Sequence, residues 1–163
     1  MKNINDIGFL GTEFLLWLYW KSCEEGTISL EDQGLGEVHI SIEESITLVS
    51  VTGDGYSETV KSQDITELRS VKESIKMGRL PDSAKVKIIS NQLDYQFQIK
   101  ANPLKISAVK LPLSGEKEEV QVISSRLETV VKIDLIMKAV FDAFLIEREG
   151  KTFTGDLKKF LEI

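Results

Sequence analysis

Carboxylates, one histidine and one cysteine are the side chains from which this 163-residue chain could build a reactive centre. Glu43-Glu44 and Glu118-Glu119 are adjacent acid pairs. Neighbours in a turn or loop point apart, so neither pair converges on a shared proton or metal, and both read as solvated charge. His39 falls on the polar side of an alternating stretch. A single histidine argues against a His-rich metal site and against a Ser-His-Asp arrangement. Cys23 closes an apolar helical stretch, where a thiol more often packs than attacks. Gly34-Leu35-Gly36 leads into a strand pattern, whereas a phosphate-cradling loop needs a helix after it. Calcium-ligand spacing around Gly53-Asp54-Gly55 is missing as well. The expectation is no catalytic residue, no metal and no cofactor.

Cations are more informative than acids. The net charge is −6, which by itself argues against general nucleic-acid affinity. The charge is uneven along the chain: residues 1–70 hold 4 basic and 13 acidic side chains, and residues 111–163 hold 8 and 10. Between them, residues 71–110 hold 8 basic and 3 acidic. On a helical wheel Arg69, Lys72, Lys76 and Arg79 fall within about 80° of one another, flanking Leu68, Val71 and Ile75. Further on, Lys85, Lys87 and Lys100 share the polar face of an alternating hairpin with Gln96 and Gln98, and Lys105 and Lys110 follow. A basic helix stripe beside a basic, glutamine-bearing sheet face holds phosphates without reading bases. The plainer alternative is an ordinary solvated surface.

These residues need a scaffold, and its largest apolar mass is Phe9–Trp20. Those twelve residues carry five aromatics (Phe9, Phe14, Trp17, Tyr19 and Trp20) and one charge, Glu13. As a helix the stretch spans roughly 18 Å, too short for a bilayer of about 30 Å. No basic run precedes it and no A-x-A-like site follows, so it does not read as a signal peptide. It reads as a helix buried on most sides, capped at Asn5 or Asp6 and stopped at Gly26. One cysteine excludes an internal disulfide and fits a reducing cytosol.

A β-rich section begins at Thr27–Glu31. Val38, Ile40 and Ile42 alternate with His39 and Ser41, Glu43-Glu44-Ser45 reads as a turn, and Ile46–Val51 as the returning strand. Gly53-Asp54-Gly55 reads as a second turn before a strand over Tyr56–Lys61. Asp64 as N-cap, Glu67 as capping-box partner and Gly78 as stop frame a second helix. After Pro81, Ala84, Val86 and Ile88 pair with Tyr95, Phe97 and Ile99 across a turn at Asn91-Gln92. Asn102–Pro112 reads as a last strand or crossover, and Leu113–Glu119 as a loop. The longest helix runs from Val120 to Glu147, with Leu127, Val130, Met137, Phe141 and Phe144 on one stripe and Ile133, Ile136 and Val140 on a second flank. The fold expected is α+β: curled antiparallel hairpins packed against an apolar N-terminal helix, a middle helix and a long C-terminal helix. Residues 1–150 read as one domain and 151–163 as a tail, in which Thr154–Ile163 has the pattern of a short amphipathic helix using Leu157, Phe160 and Leu161.

Three stretches together resemble the recombination-associated protein RdgC family, specifically its C-terminal half. They are FLGTEFLLWLYWKSCEE, ETVKSQDITELRSVKESIKMGRLPDSAKVKI and YQFQIKANPLKISAVKLP, followed by the helix through VFDAFLIER. Order and spacing over residues 8–148 carry the likeness; no single motif is a fingerprint. The resemblance implies an α+β protein that binds duplex DNA with little sequence preference, assembles as a ring-like dimer and restrains recombinase filaments. It also implies a cytoplasmic, nucleoid-associated location without membrane contact. The family's N-terminal half has no counterpart here, so a separate chain supplying it is a further expectation, and the acidic net charge is a second departure.

The leading functional expectation is therefore a non-enzymatic DNA-binding module using Arg69, Lys72, Lys76, Arg79, Lys85, Lys87, Lys100, Lys105 and Lys110. The alternative is a protein-interaction module that keeps the fold without binding DNA. A nuclease is a third reading, because the family also carries an exonuclease label, but no metal-carboxylate cluster supports it. Two apolar helices exceed what a two-layer core covers. That surplus predicts a homodimer centred on Trp17, Trp20, Phe141 or Phe144; the competing account is a three-layer monomer.

Overall fold

Seven consecutive residues, Phe14 to Trp20, are each 6% exposed or less, so the helix that carries them is enclosed on every side. A computed structural model describes residues 5–50, 54–66, 69–91, 93–110 and 119–162. Gly53, Glu67, Leu68, Gln92 and the expected loop at 113–118 lie outside the described residues. Helix α1, Asn5–Glu24, crosses one face of an antiparallel sheet. It ends where Gly26 adopts φ 64° and donates to the Lys21 carbonyl at 2.9 Å, as the sequence predicts. Gly11 sets how closely α1 lies on the sheet: a Cβ at this position would collide with the carbonyl oxygen of Ala101.

The sheet comprises β1, Thr27–Leu30; β2, Gly36–Ser50; β3, Ser57–Ser62; β4, Arg79–Ser90; β5, Leu93–Ala101; and β6, Leu104–Lys110. The order is β1-β2-β4-β5-β6, and β3 continues the β1 edge by pairing with the second half of β2. The expected hairpin is present, with Val86 opposite Phe97, Ala84 opposite Ile99 and Ile88 opposite Tyr95.

The turn expected at Glu43-Glu44-Ser45 does not form. Instead β2 runs straight through it as one 15-residue strand with a bulge. Glu44 takes φ 65°, and the partner in β4 moves from Val86 at Ile42 to Ala84 at Ile46. Two extra residues are absorbed; an even number keeps Ile46 on the same buried face as Ile42. A polar triplet between two isoleucines fits either a turn or a bulge, and pairing with β4 decides for the bulge. β4 also starts earlier than expected, at Arg79, with buried Pro81 opposite Leu48 beside a register shift, a position that tolerates a missing donor.

Helix α2, Arg69–Lys76, buries Val71 and Ile75 against the helix-bearing face of the sheet. Asp64, expected as its cap, accepts the Thr66 N–H at 3.0 Å, and the capping partner expected at Glu67 lies outside the described residues. Helix α3, Glu119–Arg148, lays its C-terminal half over α1. Phe144 packs on Trp17 with ring centroids 5.6 Å apart, and Phe141 meets Phe14 edge-on at 5.1 Å. Two ion pairs fix the crossing: Arg148 with Glu13, the single charge of the apolar stretch, and Lys21 with Glu147 at 2.8 Å.

The 151–163 tail is not an appendage. It forms helix α4, Phe153–Glu162, which buries Phe160 against Trp20 and Tyr19. The short tail helix expected from Leu157, Phe160 and Leu161 is present, and Phe160 makes it part of the core. The subunit contact expected at Trp17, Trp20, Phe141 and Phe144 is corrected. Trp17, Trp20 and Phe144 are 1%, 4% and 0% exposed and Phe141 is half-buried, because α3 and α4 form a third layer over α1.

Gly11→Ala should destabilise the protein by about 1–3 kcal/mol, the usual range for forcing a methyl into a packed contact. Guanidinium unfolding reads this directly. A change below about 0.5 kcal/mol would mean that α1 can lift off Ala101 freely.

Candidate nucleic-acid interface

Every helix packs on one side of the sheet, which leaves the other side open. Alternation sends Ile42, Val86, Phe97 and Ile99 to the core and their neighbours to the open face. The register then builds cross-strand rows there. One row runs Thr59, Thr47, Ser83, Lys100, Lys105. The next brings Lys61 and Ser45 alongside Lys85, Gln98 and Ser107, and the third runs Ser41, Lys87, Gln96, Lys110. Rows lie about 6.8 Å apart along the strands, with neighbours in a row about 4.8 Å apart.

Six lysines thus share one face of an acidic protein, interleaved with hydroxyl and amide side chains. Facing them are Glu43, Glu44 and Asp94. Glu44 bonds Lys85 Nζ at 2.7 Å and lies 4.0 Å from Lys110 Nζ, while Asp94 holds Lys87 at 3.3 Å. The hydrogen bond and charge of Lys85, with a smaller contribution from Lys110, hold the Glu44 carboxyl below its usual range. Glu43 accepts a hydrogen bond from Ser41 Oγ at 3.1 Å. Lys61, Lys100 and Lys105 form no ion pair among the described residues. Lys100 and Lys105 stand directly opposite each other, an arrangement that repels unless an anion lies between them.

The face is not flat. One bulge lifts Glu44, and a second, at Ala108 with φ 52°, shifts β6 between Gln96 and Gln98. Between the two bulges lies a depression of about 150 Å³ lined by Glu44, Lys85, Lys87, Gln96, Gln98 and Lys110.

The basic patch expected from the sequence is split by the sheet. Lys85, Lys87, Lys100, Lys105 and Lys110 come together on the open face. Arg69, Lys72, Lys76 and Arg79 lie on the helix-bearing side, because Val71 and Ile75 anchor α2 in the core. Their charges are largely engaged. Arg69 pairs with Glu73 at 2.9 Å, and Lys72 Nζ sits 4.3 Å above the Phe160 ring. Arg79, which opens β4 rather than ending the helix, bonds Glu58 at 3.4 Å and stacks 3.8 Å from Tyr56. Lys76 is exposed and forms no ion pair among the described residues. Sequence reasoning missed Lys61, whose place beside Lys85 depends on the β2–β3 pairing; the signal was its alternation with Val60.

The candidates for reactivity stay apart. His39 is exposed opposite Thr27 and Ile89, at the margin of the lysine rows. No group of three metal-ligating side chains occurs among the described residues. Neither is any helix among them long and apolar enough to cross a membrane. No protein-family model matches the chain, and no curated protein matches it. The fold and its open face define a class: an antiparallel α+β sheet, helices on one side, with a lysine-bearing surface on the other.

Cys23 is half-buried, with Sγ 3.7 Å from the Thr66 carbonyl oxygen it donates to. Burial pushes its thiol up, while the charge of Lys72 opposes the rise. A raised value keeps the thiol protonated at pH 8, so little thiolate is available to react. Labelling by an aromatic disulfide at pH 8 should run at least about tenfold slower than in unfolding guanidinium. Equal rates would place the thiol in solvent.

Proposed function

We propose that the protein is a non-enzymatic, sequence-nonspecific DNA-binding module that holds the phosphate backbone of a duplex on the open face of its sheet. The observation that carries this reading is the gathering of six lysines, with glutamine and hydroxyl side chains, on the one face that the helices leave uncovered. Lysine binds phosphate as a point charge, and no pattern of base-reading side chains is needed for nonspecific binding. The resemblance to the RdgC family points to the same ligand, and recombination or replication control is the process it suggests. A nucleoid-associated location accords with the same reading.

Glu44 and Asp94 act as internal competitors, since phosphate must displace them from Lys85, Lys87 and Lys110. This occupancy favours a second reading, a protein-interaction module whose lysines are already satisfied. Removing the Glu44 charge distinguishes the two. On the DNA reading Glu44→Gln frees two cations and tightens binding, whereas on the interaction reading it creates no affinity for DNA.

Fluorescence anisotropy of a duplex probe, with salt varied, separates them. Binding at low salt should fall with a log–log slope of about −3.6 to −5.4, as expected for four to six neutralised phosphates, and should vary little with sequence. Lys100→Glu with Lys105→Glu should weaken it at least about tenfold, and Glu44→Gln should strengthen it severalfold. Arg69→Glu with Lys76→Glu, on the opposite side, should change it little. Magnesium or manganese should leave the DNA intact throughout. Absence of any anisotropy change at low salt would overturn the proposal, as would equal damage from the Arg69 and Lys76 reversals.

A further inference from the structure

Where α1 no longer lies beneath it, α3 exposes large apolar side chains. Ile123, Leu127, Val130, Val131 and Leu135 are between 48% and 61% exposed, although the same helix buries Ile133, Ile136, Met137 and Val140. At 100° per residue the five exposed residues span about 140°, a stripe that Asp134 interrupts. Beside it a groove of about 490 Å³ opens between α3 and β6, lined by Leu104, Ile106, Val109, Val130, Ile133 and Met137. Contiguous apolar surface of this kind marks a contact site.

The charges around the stripe say what fits there. Four exposed charged residues surround Val130: Glu128 and Lys132 at two positions on either side, Arg126 and Asp134 at four. Each pair is of opposite sign. None of the four forms an ion pair among the described residues. An antiparallel helix related by a two-fold axis at residue 130 meets position 130 + n with its own position 130 − n. That operation sets Arg126 against Asp134 on both sides of the axis, whereas Glu128 and Lys132 stand about 160° round the helix from Val130 and stay outside the contact. A parallel in-register partner would set each charge against itself.

We propose that α3 is a self-association surface. A second copy of the chain lays its α3 antiparallel across this one, centred on Val130, so that the two apolar stripes cover each other and the mouth of the groove beside β6. Charge complementarity fixes direction and register, and apolar burial supplies affinity. Of the six open-face lysines, Lys105 also lines this groove; the exposed stripe of α3 carries none of them, and the inference does not rest on DNA binding.

Sedimentation equilibrium between 1 and 200 µM tests it. Two stripes of roughly 20 Å fall at the low end of specific interfaces, so the mass should pass from monomer to dimer within the micromolar range. Leu127→Asp should leave a monomer with an unchanged circular-dichroism spectrum, because the side chain it replaces is exposed. Arg126→Glu alone and Asp134→Arg alone should each weaken the dimer at least about fivefold, and the two together should restore it to within about twofold. A monomer at 200 µM overturns the proposal, as does a dimer indifferent to Leu127→Asp. Failure of the double exchange to restore association overturns the antiparallel register.

Discussion

Enclosure of the α1 aromatics is the constraint on which the rest of the architecture depends. A helix with Phe14, Trp17, Tyr19 and Trp20 around its circumference has no side to offer to water, so the sheet alone cannot satisfy it. Aromatic side chains bury 150–250 Å² each, so leaving four of them half-covered would forgo on the order of 10 kcal/mol of apolar burial. Hence α3 and α4 lie across α1 and supply Phe144, Phe153 and Phe160. Glu13 survives in the middle of this stretch because Arg148 neutralises it at the margin of the outer layer.

Covering α1 draws all four helices to one side and exposes the other. An antiparallel sheet accepts that asymmetry, since alternation supplies one apolar and one polar face from the same strands. The two bulges then shape the polar face. Glu44 in a positive-φ conformation leans toward Lys85 and Lys110, so an acid and two cations share a hollow instead of a regular ladder. The lysine rows, their internal carboxylates and the hollow all result from where the helices went.

Elements with a local cause were legible in the sequence. Ala84, Val86 and Ile88 against Tyr95, Phe97 and Ile99 needed only alternation, and Gly26 and Gly78 stopped their helices by adopting positive φ. The open-face group of Lys85, Lys87, Lys100, Lys105 and Lys110 results from that same alternation. What failed depended on distant pairing. Glu43-Glu44-Ser45 reads as a turn until β4 is known to run past it on one side and β3 on the other. The α2 cations fell on one wheel, but a wheel cannot say which side of a sheet its apolar seam will seek. Trp17, Trp20 and Phe144 looked like surplus surface because a wheel does not show that Phe144 and Trp17 cover each other, or that Phe160 stacks on Trp20 and Phe153 meets Phe144.

The docking of α4 also has a consequence in time. Trp20 is synthesised about 140 residues before its cover, Phe160. At bacterial or eukaryotic elongation rates of 5–20 residues per second, the interval is roughly 7 to 28 s. For that time the most apolar segment of the chain has emerged from the ribosome without its final layer. The nascent chain therefore needs either a holding chaperone or a provisional shelter from β2 and β4. Codon choice between β6 and α4 becomes a means of setting how long the exposure lasts.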